Sequence, residues 1–296
     1  MENTFVLSCC STVDLTNEIM EQRDIRYVHF NYSMDGVQHK DDMGQTVSMK
    51  EFYDAMVAGA EVRTAQVNVD EYIQFFTPFL EAGRDVLHVT LSSGISGSYN
   101  SARLAADMLR EKFPERKLCI VDSLGASSGS GLLTVTLADL RDQGKSIDEV
   151  YAWALENRLH VHHWFYSSDL TFYVKGGRVT KAAGWFGTVL KICPVLNMDN
   201  LGRLIPRFKV RGKQKALQEL LHQMEQHADG GADYCGRCFI CQSDCEDDAR
   251  KLAAAVEERF PHIDGRVQVF PIGPTIGSHT GPGTAALFFF GDERVD

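Results

Sequence analysis

The first half of the chain alternates short apolar runs with longer amphipathic stretches. Strands are predicted for residues 5–10, 86–91 and 118–121, where uninterrupted apolar residues indicate buried β-structure. Helices are predicted for residues 15–22, 96–112 and 130–142, and in the second of these Tyr99, Ala102, Ala105, Ala106 and Leu109 share one face. Strands that alternate with helices of this length indicate a parallel sheet with crossover helices.

The second half has a different pattern. Strands are predicted for residues 164–166, 203–210, 238–242, 267–270 and 287–290, and helices for residues 184–191, 213–227 and 247–260. Two of these strands flank a loop too short to hold a crossover helix, which favours a mixed or antiparallel α+β layer. The predicted fold is therefore α/β, with an N-terminal parallel-sheet domain (residues 1–160) and a smaller C-terminal α+β domain (residues 161–296).

Composition limits the classes of partner. The chain is 44% hydrophobic and 24% charged, which is typical of a globular protein with a core, and its formal net charge is −10. Acidity of this kind argues against nucleic acid and anionic membrane surfaces, both of which need clustered Lys and Arg. The longest apolar run, residues 285–290, has the length of a strand, so no membrane span is expected. With no signal peptide apparent, we expect a cytoplasmic protein whose eight cysteines are reduced.

Two strand-to-helix turns could carry chemistry. Residues 92–98 follow a predicted strand with serines and glycines, and such a loop at the carboxyl end of a parallel strand suits an anion, although it could simply cap the next helix. The second turn contains Gly125-x-Ser127-x-Gly129, the spacing of a nucleophile elbow, with His279 available downstream. A serine hydrolase is therefore an alternative function.

Four cysteines, Cys235, Cys238, Cys241 and Cys245, match the spacing of a bacterial iron–sulfur run. Cys238 and Cys241, however, lie in a predicted strand, where residues three apart point to opposite faces. Buried free thiols explain the pattern better than a metal site, and a redox or metal role is kept as a third hypothesis.

The histidines indicate a functional site less clearly than the cysteines do. His160, His162 and His163 are close in sequence, but no third partner stands at a metal-binding spacing from them. His279 lies in a glycine-rich segment, residues 277–283, which is predicted to be a loop before a strand. That segment lacks the Lys and the following helix of a phosphate-binding P-loop.

Six segments, taken in order along the chain, resemble the DegV family of bacterial fatty-acid-binding proteins that serve fatty acid kinase. They are Ser11-Thr12-x-Asp14-Leu15, the run from Leu91 to Tyr99, Asp122-Ser123 with Ser127, Lys175-Gly176-Gly177-Arg178, Val210-Arg211-x-Lys213-x-Lys215, and Gly277-x-His279-Thr280-Gly281-Pro282-Gly283.

The resemblance implies a carrier that is not itself an enzyme and needs no cofactor. A fatty acid would lie in a tunnel between the two domains, and the partner kinase would phosphorylate its carboxylate to an acyl phosphate. By resemblance, the ligand-binding residues are Thr64 and Ser93 on the carboxylate, His279 close behind them, and Arg178 and Arg211 at the tunnel mouth or the kinase-docking face, with Ser92, Ser96 and Thr280 completing the set.

Overall fold

The computed structural model describes residues 4–180 and 192–295. The elements of the first half are, in chain order, β1 (Val6–Cys10), α1 (Asn17–Gln22), β2 (Ile25–Val28), β3 (Asn31–Met34), β4 (Val37–Lys40), α2 (Met49–Val57), β5 (Val62–Ala65), α3 (Val69–Glu81), β6 (Val86–Thr90), α4 (Ser98–Lys112), β7 (Leu118–Asp122), α5 (Ser127–Asp142) and α6 (Ile147–Asn157).

The elements of the second half are β8 (Val161–Ser167), α7 (Thr171–Lys175), β9 (Ile192–Met198), β10 (Leu204–Arg211), α8 (Lys213–His227), β11 (Phe239–Gln242), α9 (Glu246–Arg259), β12 (Gln268–Pro271), α10 (Pro274–Thr280) and β13 (Thr284–Phe290). The short helix predicted for residues 184–191 lies outside the described residues.

The first half is built on a parallel sheet with strand order β2-β1-β6-β7. Every residue of β1 and β6 is buried, because helices cover both faces of these inner strands. The six-stranded sheet of the second half has the order β10-β9-β8-β13-β11-β12. Its pairs are antiparallel except β11 with β12, so it is mixed. The predicted α/β fold is confirmed.

A third, small antiparallel sheet, β4-β3-β5, was not expected from the sequence. Its strands have four residues each, and β4 is largely exposed, so the apolar alternation that announces a strand is weak. The sheet matters for the site because the β3–β5 pairing sets Thr64 opposite Tyr32. Tyr32 is buried, and it fixes this edge of the sheet against α2 through a ring contact with Phe52.

Helix α5 lies at the centre of the molecule. It is buried along most of its length and contacts β1 of the parallel sheet as well as β8, β11 and β13 of the mixed sheet. An all-round buried helix of this kind needs apolar or small residues on every face, which its Ser-, Gly-, Leu- and Val-rich sequence provides. The two halves therefore share core residues, and a domain boundary near residue 160 stays a prediction.

The glycine-rich segment before β13 is partly helical, which corrects the expected loop. Its first residues belong to α10, where a Cβ on Gly277 would stand 2.4 Å from the Tyr53 hydroxyl. That glycine serves close packing against α2 and does not break the helix. Two buried carboxylates hold the start of α10, since Gly273 N–H donates to Asp14 at 3.0 Å and Thr275 N–H donates to Asp41 at 3.1 Å.

Candidate functional site

A cavity of about 550 Å³ lies where the two halves meet. This volume falls within the range of about 300–1,000 Å³ that is typical of small-molecule sites. Most of its wall is apolar, and both halves contribute, the main apolar side chains being Phe30, Leu91, Ile95, Phe165, Met198, Leu204, Ile272, Ile276 and Phe288. The polar side chains gather in two places, one around His279 and one around Ser127.

Thr64 and His279 form the centre of the first polar group. Thr64 lies on β5 and His279 in the last turn of α10, and Thr64 Oγ1 is 2.8 Å from His279 Nε2. The other ring nitrogen, Nδ1, is buried and has no hydrogen-bond partner among the described residues. A buried imidazole nitrogen with no partner is energetically costly, so this ring is held in place by Thr64 and by packing.

The imidazole is neutral at physiological pH. Burial, and then the positive charge of Arg178, lowers the pKa of His279 to about 4. An anion bound beside the ring would counter the charge of Arg178, and that effect by itself would raise the pKa. Gly176 makes this arrangement possible, because a Cβ at that position would stand 2.2 Å from His279 Nδ1.

Arg178 supplies the charge of this polar group. Its guanidinium donates to the backbone carbonyl of Gly176 at 2.6 Å and to that of Ile95 at 3.3 Å. Burial lowers the pKa of the guanidinium, and no acidic side chain among the described residues counters that effect. The backbone contacts thus hold a cation at the cavity wall without neutralising it, which suits an anionic ligand.

The serines of the central motif separate into three environments. Ser96 lines the cavity. Ser92 is buried, and its hydroxyl donates to the Gly202 carbonyl at 2.8 Å, so it ties this loop to the 199–203 turn. Ser93 is exposed and is not part of the cavity lining, while its N–H donates to Asp122. The structure therefore brings Ser96, and not Ser93, to the cavity.

The other predicted residues also divide. Thr280 lines the cavity next to His279. Arg211, at the end of β10, is exposed and lies outside the cavity lining. Of the eight predicted ligand-binding residues, Thr64, Ser96, Arg178, His279 and Thr280 come together, whereas Ser92, Ser93 and Arg211 do not. Ser93 was assigned from family resemblance, and its role as a carboxylate ligand stays a prediction.

Comparison with known proteins decides the family. The sequence profile of the DegV family matches residues 10–292. A DegV domain-containing protein of Clostridium perfringens is 34% identical over 290 residues, which cover 98% of each chain. The chain belongs to the DegV family.

Solved DegV structures agree with this fold. A DegV family protein from Thermus thermophilus, described for its fatty acid binding, superposes with a TM-score of 0.86 at 27% identity and covers 98% of this chain and 100% of its own. The fatty acid kinase B3 protein of Streptococcus pneumoniae, loaded with linoleic acid, superposes with a TM-score of 0.83 at 25% identity, with the same coverage.

The second polar group of this DegV protein is built around Ser127. Its hydroxyl donates to the carboxylate of Asp14 and lies 3.1 Å from the Cys241 thiol. Burial, followed by the charge of Asp41, raises the pKa of Asp14, so the serine faces a carboxyl group that resists ionisation. Ser127 also has a φ of +54°, the strained backbone of an elbow.

A serine hydrolase would need a histidine hydrogen-bonded to the Ser127 hydroxyl as its general base. The two candidate histidines make hydrogen bonds to other groups. His279 is bound to Thr64, and His163 Nε2 accepts from Ala126 N–H at 3.2 Å. The glycines of the elbow-like motif have a packing role instead. A Cβ on Gly125 or Gly129 would stand 2.7 or 2.3 Å from His163 Nε2.

The four cysteines do not converge on one point. Cys238 is packed in the core on one face of the mixed sheet, and Cys241 faces the cavity on the other, as their spacing in a strand predicts. Burial raises the pKa of the Cys241 thiol above its ordinary value, which disfavours the thiolate that metals bind. Cys235 is exposed and Cys245 half-buried. That this segment holds no metal cluster stays a prediction.

Sequence reasoning missed other parts of the site. Asp41 is buried at the start of α10, and Gln66 and Tyr173 line the cavity. A buried aspartate is recognisable in the sequence only when the helix start that it binds is also predicted. Helix α10 was not predicted, so Asp41 was missed. No helix among the described residues is both long and apolar enough to cross a bilayer.

Proposed function

We propose that this chain binds a long-chain fatty acid in the cavity and presents its carboxylate to a kinase. The main support is the Thr64–His279 pair with Arg178, which forms the one polar group of this largely apolar cavity that carries a cation. The fatty acid binding described for the Thermus thermophilus protein supports the same ligand here.

The polar end matches the needs of a carboxylate. A buried carboxylate is costly unless it is hydrogen-bonded, and short hydroxyl side chains supply donors without filling the space. Thr64 can accept from His279 Nε2–H and donate its own hydrogen to the ligand, while Ser96 offers a second hydroxyl. Arg178 adds the positive charge that makes these contacts charge-assisted.

The apolar walls account for the affinity. Burying about 14 methylenes at ~0.8 kcal/mol each contributes on the order of 11 kcal/mol before the costs of association. Aromatic and branched side chains from both halves would surround the chain. The walls would set how long an acyl chain fits, and the polar end would set its direction.

A second pocket supports presentation of the carboxylate. It has a volume of about 360 Å³ and shares Thr64, Arg178 and His279 with the main cavity. Its outer wall adds the exposed side chains of Arg63 and Lys175. The carboxylate would thus lie one side chain from the surface, where a second protein could deliver a phosphoryl group. The linoleic-acid-loaded kinase B3 protein of Streptococcus pneumoniae is consistent with a kinase as the partner.

In this proposal the chain is a carrier and the kinase performs the chemistry. The carrier shields the acyl chain and fixes the carboxylate through hydroxyl and guanidinium donors. The serine hydrolase alternative is less well supported, because Ser127 contacts Asp14 and Cys241 and no histidine.

The test is extraction of protein purified without added lipid, followed by mass spectrometry. We expect about one fatty acid per chain. Arg178→Met should lower this occupancy, because its buried cation is lost, whereas Arg211→Met removes an exposed cation outside the cavity and should not. Absence of fatty acid from the wild type, together with no binding after delipidation and titration, would reject the proposal.

A further inference from the structure

Three potential metal ligands meet on the side of the mixed sheet that faces away from the cavity. They are His162 on β8, His227 at the end of α8, and Asp292 just after β13, and their ligand atoms all lie within 4.8 Å of one another. His163, the next residue along β8, lines the lipid cavity. Successive side chains of a strand point to opposite faces, so this second cluster is separate from the proposed lipid site.

The distances between the ligand atoms suit a metal ion. His162 Nε2 is 3.0 Å from Asp292 Oδ1, and His227 Nδ1 is 3.1 Å from the same oxygen. Ligands at about 2.0–2.1 Å from a tetrahedral zinc ion stand roughly 3.3–3.4 Å apart, so the two distances to the carboxylate would lengthen only slightly. The His227 ring, which stacks on His162, would turn so that its nitrogen lone pair points at the ion. Two imidazoles and one carboxylate are also ligands that divalent first-row transition metals accept.

Packing holds the two rings in place. His162 stacks between Phe289, at a centroid distance of 5.1 Å, and His227, at 4.9 Å. His227 stacks in turn on Trp164. The backbone fixes the third ligand, since Asp292 N–H donates to the His227 carbonyl at 3.0 Å. The packing of His162 and the backbone contact of Asp292 reduce the entropy cost of binding an ion.

One ligand of the cluster is open to solvent. The side chain of Asp292 is 61% exposed, which leaves a path for the ion and room for water in a remaining coordination position. Buried Arg294 lies nearby and adds a positive charge that opposes a cation here.

We propose that His162, His227 and Asp292 bind one divalent transition-metal ion, which joins the end of α8 and the segment after β13 to strand β8. The competing explanation is a hydrogen-bonded trio in which Asp292 accepts from both rings and no ion binds. His162 Nε2 also lies 2.9 Å from the backbone carbonyl of Asp292, a contact that the ion would replace. The two differ in metal stoichiometry, because only the first requires an ion.

The experiment uses the full chain without an affinity tag and zinc as the probe. After chelation and dialysis, the protein is equilibrated with Zn²⁺, and bound zinc is measured by elemental analysis and calorimetry. We expect one zinc per chain. His227→Gln and Asp292→Asn should each weaken binding by roughly tenfold or more, since even the loss of an outer-shell partner costs 10- to 100-fold.

Two matched controls separate this site from adventitious binding. His222→Gln changes an exposed histidine on the same helix, outside the cluster, and should leave zinc affinity unchanged. Cys235→Ser removes the exposed thiol and should also leave it unchanged. Retained circular dichroism and lipid occupancy in each variant would show that loss of zinc is not loss of the fold.

Cobalt provides a second measurement on the wild type alone. Bound Co²⁺ should give visible bands of a four- or five-coordinate site without thiolate-to-metal charge transfer. The proposal is overturned if no stoichiometric zinc binds, if zinc binding survives in both His227→Gln and Asp292→Asn, or if Cys235→Ser abolishes it.

Discussion

Replacement of Thr64 by valine tests the proposed carboxylate site most directly. Valine has nearly the shape of threonine, so the substitution removes the hydroxyl and leaves little cavity. The hydroxyl is 2.8 Å from His279 Nε2 in a half-buried position on β5. Its loss would deprive the carboxylate of one donor and the imidazole of its only hydrogen-bond partner among the described residues.

The expected magnitude follows from the type of contact. A hydrogen bond to a charged group contributes about 1.5–3 kcal/mol, which corresponds to a 10- to 150-fold change in Kd. Because Thr64 is only partly buried, solvent screens the contact and the lower part of this range applies. Thr64→Ser keeps the hydroxyl and should remain within a few-fold of the wild type.

The assay is titration of delipidated protein with a fluorescent fatty acid at neutral pH. Ser93→Ala is the matched control, because Ser93 is an exposed hydroxyl outside the cavity lining. We expect Thr64→Val to lose affinity and Ser93→Ala to keep it. If Thr64→Val binds within twofold of the wild type, or if Ser93→Ala loses as much, the assignment of the carboxylate to this end of the cavity is wrong.

Three further predictions concern other residues. Ser127 should not react stoichiometrically with a fluorophosphonate probe, because its hydroxyl donates to Asp14 and no histidine among the described residues contacts it. Labelling that disappears in Ser127→Ala would instead favour the hydrolase. Arg211→Ala should leave fatty acid affinity intact but lower acyl-phosphate formation with the cognate kinase and weaken its salt dependence, since an exposed cation steers an acidic partner; unchanged phosphorylation would remove Arg211 from the docking surface. Burial lowers the pKa of His88 to about 3, so below the unfolded value near 6.5 only the unfolded state takes up that proton. The free energy of unfolding is therefore unaffected by the titration of His88 above pH 6.5, and it falls by about 1.4 kcal/mol per pH unit on acidification toward pH 3. When the free energy of unfolding is measured in urea between pH 6 and 4, its decrease per pH unit should therefore be smaller by that amount in His88→Gln than in the wild type. Equal pH dependence in the two proteins would contradict the low pKa of His88.

Sequence patterns predicted those parts of the molecule that depend on local periodicity. The buried strands β1, β6 and β7 are short apolar runs, and α8 has a clear amphipathic period, so each was found near its observed bounds. The opposite directions of Cys238 and Cys241 also follow from the strand period of two.

What the sequence did not predict depends on contacts between distant segments. The glycine of helix α10, Gly277, packs against Tyr53, which is more than 200 positions earlier in the chain. Because this contact is not visible in the sequence, the glycine suggested a loop. Thr64 and His279 are 215 residues apart, and only family resemblance joined them. The sequence did not indicate the partners of His162, because they are distant along the chain. The pairing of β13 with β8 brings Asp292 close to His162, and the end of α8 brings His227.

The sharing of the cavity walls between the two halves has a consequence for the lifetime of the protein. Leu91 and Ala126 come from one half, and Phe165 and Ile276 from the other, so an acyl chain between them would complete the core. A ligand that binds only the folded state stabilises it in proportion to the logarithm of its concentration. We therefore expect the empty chain to open more often and to be degraded faster by proteases than the filled one. The supply of fatty acid would then set the abundance of its own carrier.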